Sequence, residues 1–320
     1  MEVQQINWEQ RLREAVTEKQ RLEALLELVS ISVNEDFVEG WKYGNEALGL
    51  AQGLKDREAE AKSLEGMANC LWKLAEFTQA LDNFESALDK YLSLGDLHGT
   101  ARCYCGLGVI SGIMEDLRMA LEYFEDGLSA ARRADRPHLA ATLTGNIGHV
   151  YFKMGRYEDA MQCFDHGLEY YKQKQEHHGV ANMLGGIAGI HVYRGEYDRG
   201  LEIVRRTFEL HKKVKHYRGM AVTMGNIAHT MQKMGKLEEA FIEYKRALNY
   251  ARSIQLKVTE NEMLKALSSV CTELGKDEAA QQYLQQFMDC QTEEKKLAVK
   301  QKNEQFGQRQ MIRDLQRKTS

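Results

Sequence analysis

Small and bulky positions alternate along this chain on a fixed ruler. Alanine or glycine stands at Ala80, Ala120, Ala160, Gly200, Ala240 and Ala280, one every forty residues. The surroundings recur with it. A glycine lies five positions earlier at Gly155, Gly195, Gly235 and Gly275, and an aromatic or leucine three earlier at Phe77, Leu117, Tyr157, Tyr197 and Leu237. An aromatic follows by four at Phe84, Phe124, Phe164 and Tyr244, and a small residue by seven at Ala87, Gly127, Gly167 and Ala247. Offsets of four and seven fall on one face of a helix. The small residue lets a second helix approach closely. Upstream of each glycine runs another helical pattern, clearest in Thr144–Gly155 and Met224–Gly235, and the glycine supplies the positive φ that ends it. The repeating unit is therefore helix A, turn, helix B, turn. A period of this length means stacked copies of one unit, each unable to bury its apolar face alone.

The pattern resembles the tetratricopeptide repeat, matching best at Gly148, Tyr151, Gly155, Tyr157, Ala160 and Phe164. That family's usual period is shorter, about 34 residues, so each helix here is expected to be longer, about 17–18 residues or 25–27 Å. The run before helix A also recurs, at Gly99–Ala101, Gly179–Ala181 and Gly219–Ala221. In this respect the chain is similar to long-repeat scaffolds of the Pins and rapsyn types and to the repeat regions of bacterial signalling enzymes. The resemblance implies an all-α, right-handed superhelical solenoid of about seven helix pairs, near 22–53, 58–94, 98–134, 138–175, 178–214, 218–254 and 258–294. A polar N-terminal helix or cap over 1–20 is expected before the array of 21–294, and a charged helical tail over 295–320 after it. The first pair is degenerate, with Gly40 at its small position, as end repeats that cap a stack are. From Asp277 nothing strongly stops the last helix, which is similar to the connector that leads from repeat arrays into catalytic output domains in signalling proteins.

Composition agrees with continuous helices. There is one proline in 320 residues, Pro137, placed for the first turn of a helix where its missing N–H costs nothing. No apolar run reaches membrane-spanning length, and the polar, acidic N-terminus is unlike a signal peptide. The six cysteines lack paired spacing and read as free thiols of a reducing cytoplasm, the expected location. Residues 291–320 hold eight Lys/Arg against four Asp/Glu, while the rest carries a net charge of −8, which argues against nucleic acid as partner. No phosphate loop, zinc-protease or serine-hydrolase motif is present, so the chain is not expected to be an enzyme, and neither metal nor cofactor is implied. His177 and His178 read as a surface pair near a helix start.

The candidate chemistry lies on the face of helix A opposite its core positions, which lines the concave side of such arrays. The stripe runs Lys62, Glu65/Gly66, Asn69 and Trp72/Lys73, then Arg102, Cys105/Gly106 and Val109, then Thr142, Asn146, His149 and Lys153. It continues with Asn182, Gly185/Gly186 and Tyr193, then Asn226, His229 and Lys233. Asn146 and His149 recur as Asn226 and His229, one helical turn apart, and lysine recurs at Lys73, Lys153 and Lys233. A side-chain amide both donates to and accepts from a peptide backbone, so it can hold an extended chain without reading its sequence. Asparagines here resemble those that clamp peptide backbones or terminal carboxylates in this family. They are equally suited to solvating the concave surface or bonding the next repeat. Glycines on the stripe suggest room for a bulky ligand, and the cations suggest an acidic segment or a C-terminal carboxylate. The function expected is a non-catalytic adaptor that binds a peptide or protein segment. The alternative is a sensor whose ligand-dependent superhelix controls a kinase or nucleotide cyclase through the last helix. Weak self-association through the solenoid ends is a third way such an array is used.

Overall fold

The computed structural model describes residues 2–33 and 36–292. Among them all regular structure is helical. A first helix, α1 (Glu2–Glu14), precedes pairs in which an A helix is followed by a B helix. The A helices are α2 (Glu18–Ser32), α4 (Arg57–Lys73), α6 (Leu97–Ile113), α8 (Pro137–Lys153), α10 (His177–Tyr193), α12 (Tyr217–Lys233) and α14 (Lys257–Glu273). The B helices are α3 (Phe37–Leu54), α5 (Phe77–Leu94), α7 (Leu117–Arg133), α9 (Tyr157–Gln173), α11 (Tyr197–Lys213) and α13 (Leu237–Ser253). A seventh B helix, α15, spans 277–292. The tail expected over 295–320 lies outside the described residues. α2 begins at Glu18, earlier than the pattern suggested, because Thr17 and Gln20 form a reciprocal capping box there.

Most helices are 17 or 18 residues long, and the reason is a turn that returns every twenty residues. Gly95, Gly155, Gly195, Gly235 and Gly275 take φ of 68–78° in that turn. Lys55, Ala75, Glu115, Asp135, Gln175, Lys215 and Gln255 take the same left-handed conformation, at φ of 50–65°, in the turns between. The spacing of glycine alone marks only some of these stops. Nearly all are held by a bond that reaches back five residues, such as Glu76 N–H to the Leu71 carbonyl at 2.9 Å and Leu256 N–H to the Ala251 carbonyl at 2.8 Å. A side chain in the left-handed region costs roughly 1–2 kcal/mol. Glu115→Gly is therefore expected to raise stability by somewhat less than that, since glycine also loses more freedom on folding, and a denaturant titration reads it.

Helix starts differ along the chain. Asp36, Asp56, Asp96 and Asp116 each accept a backbone N–H of the first turn that follows. From α8 to α14 the capping position holds Arg136, Arg156, Glu176, Glu196, His216, Lys236 or Leu256, and no side-chain cap forms. Those helices depend on packing for their stability.

The chain forms two compact units that meet in sequence between Lys174 and Gln175. In the first, the core is built from the residues the ruler picked out. Ala80, Ala120 and Ala160 are fully buried, and Phe84, Phe124 and Phe164 pack beside them. In the second, Ala240, Tyr244 and Ala247 hold the same places, and Gly200, Val204 and Thr207 do so in α11. Ala160→Leu is expected to destabilise by about 1–3 kcal/mol, because two helices meet over a site with no spare volume. The surface change Glu158→Ala should fall within about 0.5 kcal/mol of wild type. Equal denaturant midpoints for the two would reject the packing role.

Within each unit the backbone of an A helix comes close to that of the next A helix, whereas the backbones of successive B helices, from α3 to α9 and from α11 to α13, stay farther apart. The contacts run α2 to α4, α4 to α6 and α6 to α8 in the first unit, and α10 to α12 and α12 to α14 in the second. Helices that approach on one side and splay on the other place the A helices on the inside of each unit's curve.

Candidate functional site

In the first unit, α2, α4 and α6 enclose a cleft of about 480 Å³ on that inner side. Its floor is apolar, from Leu26, Val29 and Val33 of α2. Its walls carry Glu23, Glu27 and Ser30 of α2, Lys62, Glu65 and Asn69 of α4, and Arg102 of α6. Lys62, Asn69 and Arg102 are thus brought together as the stripe required. The α2 residues were not singled out from sequence, because the first pair shows no helix A signature. The signal was present, since Glu23, Glu27 and Ser30 follow the capped start at Thr17 with helical spacing.

The charges in this cleft are largely satisfied. Arg102 grips both carboxylate oxygens of Glu65, Nε to Oε1 at 2.6 Å and Nη2 to Oε2 at 2.7 Å. The Tyr91 hydroxyl donates to the same Oε2 at 2.7 Å. Burial, and then the adjoining Glu65 carboxylate, push the Tyr91 pKa far up, so it stays a donor. Arg102 Nη1 lies 3.1 Å from His98 Nδ1, and burial together with Arg102 lowers the His98 pKa. Lys62 pairs with Glu58 at 2.6 Å. The two cations of this cleft are therefore engaged by this chain's own carboxylates, and Glu23 and Glu27 add two more negative charges.

Farther along the same face, Asn146 Nδ2 reaches Cys105 Sγ of the preceding repeat at 3.7 Å, a long contact to a soft acceptor. Burial pushes the Cys105 thiol up to about 11, which keeps it uncharged. Lys153 Nζ donates to the Gly112 carbonyl at 3.2 Å, near the negative end of α6. His149 sets its ring edge-on to Phe164, with centroids 4.8 Å apart. Crowding by protein atoms and then Lys153 lower its pKa, so it faces the groove as a neutral imidazole. Lys73 lies over the Trp72 ring at 4.0 Å. Asn69 Nδ2 turns back to its own helix, to the Glu65 carbonyl at 3.0 Å.

Most of the stripe glycines do not open room for a ligand. A Cβ on Gly66 would stand 2.3 Å from Val29, and one on Gly106 would stand 2.3 Å from the Phe84 ring. In the second unit a Cβ on Gly225 would stand 2.6 Å from Met263. The missing side chains are replaced by those of neighbouring helices, so these glycines serve close packing. Gly185 alone among the stripe glycines described in this way faces open space.

In the second unit the stripe residues are more exposed. Asn182 approaches His178 at 3.4 Å, and Tyr193 keeps 65% of its surface. Asn226 and Lys233 face solvent. His229 lies 3.5 Å from the Tyr244 hydroxyl, which donates to Gln232 at 2.9 Å, and burial followed by Lys233 lowers the His229 pKa.

Three stretches, residues 59–133, 138–199 and 179–253, match the profile described as "Tetratricopeptide repeat". This chain belongs to the tetratricopeptide repeat family. Among solved structures of that architecture it is similar to a Rap protein complexed with the competence and sporulation factor, at 14% identity and a TM-score of 0.72. That likeness covers 88% of this chain and 78% of the other. It is also similar to the Rap conjugation gene regulator of plasmid pLS20 in complex with the Phr* peptide, at 13% identity and a TM-score of 0.69, over 87% of this chain and 77% of that one. NprR in complex with its cognate peptide NprX gives 17% identity and a TM-score of 0.61, over 84% and 77%. At these identities the likeness establishes the fold. All six cysteines of this tetratricopeptide repeat chain are free. No helix among the described residues is long and apolar enough to cross a membrane.

Proposed function

We propose that this tetratricopeptide repeat protein is a non-catalytic adaptor that binds an extended peptide or protein segment on the inner face of its first unit. The observation that carries this reading is the cleft of about 480 Å³, with an apolar floor and polar walls. Pockets of this kind hold ligands by apolar contact and orient them with a few polar groups. Asn69 and Asn146 offer amides to a peptide backbone beyond the bonds they already make. Glu23 and Glu27 favour a basic or neutral stretch of ligand over α2 and α4. An acidic segment or C-terminal carboxylate fits only toward Lys153. The site would then read polarity along the ligand.

A second reading, a ligand-controlled sensor in the cytoplasm, is favoured by one observation. Structures with this architecture, at TM-scores of 0.61–0.72, are those of a Rap protein and NprR bound to peptides. Under this reading the same groove is the input, and a kinase or cyclase is the effector.

A displayed random-peptide library, selected on the full chain, tests the site. Loss of one neutral hydrogen bond costs about 0.5–1.5 kcal/mol, so Asn69→Ala with Asn146→Ala should weaken selected peptides roughly five- to a hundredfold if the losses add. Glu27→Lys should weaken them further at low salt. Asn226→Ala in the second unit serves as a comparison. Unchanged affinity in all of these variants, with unchanged melting curves, would move the site off the groove.

A further inference from the structure

The second unit holds a group of three histidines that the groove does not use. His178 lies in the first turn of α10, His211 in the last turn of α11, and His216 at the capping position of α12. One ring nitrogen from each lies within 4.8 Å of the other two. The two inner rings face one another through Nδ1, 3.2 Å apart. The His178 ring stands edge-on to His216, with centroids 4.6 Å apart. We propose that these three imidazoles form a binding site for a divalent transition metal of the zinc, nickel and copper class.

Three observations converge on this. First, the spacing fits. Tetrahedral zinc with Zn–N bonds of about 2.0–2.1 Å sets its nitrogens about 3.4 Å apart. The inner pair is already near that separation. His178 is exposed, and its ligand nitrogen already lies within 4.8 Å of the other two. Second, the backbone makes room for the pair. A Cβ on Gly219 would stand 2.4 Å from His216 Nδ1 and 2.5 Å from His211 Nδ1. Third, the histidines replace residues with other duties. Tyr91 and Tyr171 occupy the position of His211 two repeats apart, and their hydroxyls bond Glu65 and Thr142. His211 is as buried, at 5% exposure, yet meets imidazoles instead. Asp56 and Asp96 occupy the position of His216 and cap their helices, whereas His216 caps nothing and turns to His211.

The donor set also selects the metal. Three imidazole nitrogens with no carboxylate among them exclude magnesium and calcium, which take oxygen ligands, and suit metals that prefer imidazole. Water or a small anion would complete the shell. A bound ion would tie the start of α10 to the α11–α12 turn and stabilise the unit by mass action. The sequence hid this site, because the intervals between 178, 211 and 216 match no ligand motif and only the packing of three helices closes them.

The full chain, freed of metal with chelator, is titrated with cobalt(II) and then zinc(II). One equivalent should bind, with visible cobalt bands of nitrogen and oxygen ligation and without the near-ultraviolet band of thiolate ligation. Zinc should raise the thermal midpoint, and magnesium and calcium should not. His178→Gln is expected to weaken zinc binding by more than about tenfold while leaving the metal-free midpoint unchanged, since a lost ligand exceeds the effect of a lost outer partner. His216→Gln should do likewise, and His166→Gln should change nothing. No uptake at about 100 µM zinc, equal affinity in His178→Gln and wild type, or a thiolate band that persists in the histidine variants would each overturn the site.

Discussion

Truncating Phe84 to alanine should destabilise the first unit by about 3–5 kcal/mol, the largest effect expected from any single change in the chain. The ring is 1% exposed and sits in a cluster with Ala61, Ala80, Leu107 and Ile110. It also fills the space that a side chain on Gly106 would need. Two tests separate packing from simple apolar loss. Gly106→Ala alone should destabilise, because its Cβ would stand 2.3 Å from the ring. In a Phe84→Leu background the same glycine change should be better tolerated, giving a coupling energy of about 0.5–3 kcal/mol in a double-mutant cycle. Hydrogen exchange of the α4–α6 amides is the suitable readout, because a chain of two units need not unfold in one step. Additivity of the two changes would show that ring and glycine do not share the space.

The second large effect is expected at Arg102. Replacing it with methionine leaves the Glu65 carboxylate, 9% exposed as a residue, without its bidentate partner. Breaking a buried pair in this way typically costs about 3–5 kcal/mol. The guanidinium side chain is 34% exposed, so the lower end of that range is the expectation here. Removing both partners, as in Glu65→Met with Arg102→Leu, should restore most of the loss, apart from about 1–3 kcal/mol for the Tyr91 hydroxyl left without its acceptor. Adding Tyr91→Phe should recover part of that too. Equal unfolding midpoints for Arg102→Met and wild type would show the pair to be decoration. A folded, stable double variant that no longer binds selected peptides would show that the pair is retained for the cleft.

The architecture was legible in the chain because its cause is periodic. A small residue at Ala160 and a ring at Phe164 can be read without knowing what they touch, since helical geometry puts them on one buried face. More than half of the helix stops escaped, because residues such as Lys55, Glu115 and Gln255 enter the left-handed region without being glycine. Their neighbours' hydrogen bonds compel the turn, and composition does not announce it. Helical phase also put Lys62, Asn69 and Arg102 on one side, where they line a common cleft. Their partners did not follow from it, because an ion pair such as Arg102 with Glu65 joins residues 37 apart in sequence, and helical phase does not reveal which rotamers meet. The groove glycines misled for the same reason: sequence shows a missing side chain and not what fills its place.

The left-handed turn at every twentieth residue makes the length of this protein quantised. One extra residue inside an A helix would rotate everything beyond it by about 100° about the helix axis and carry Asn146 or Lys153 off the inner face. Forty extra residues, or forty fewer, would restore the same backbone turn and the same facing surfaces. The chain can thus grow or shrink by whole repeats with its groove in phase, whereas a single inserted codon within a helix is a frame error in three dimensions.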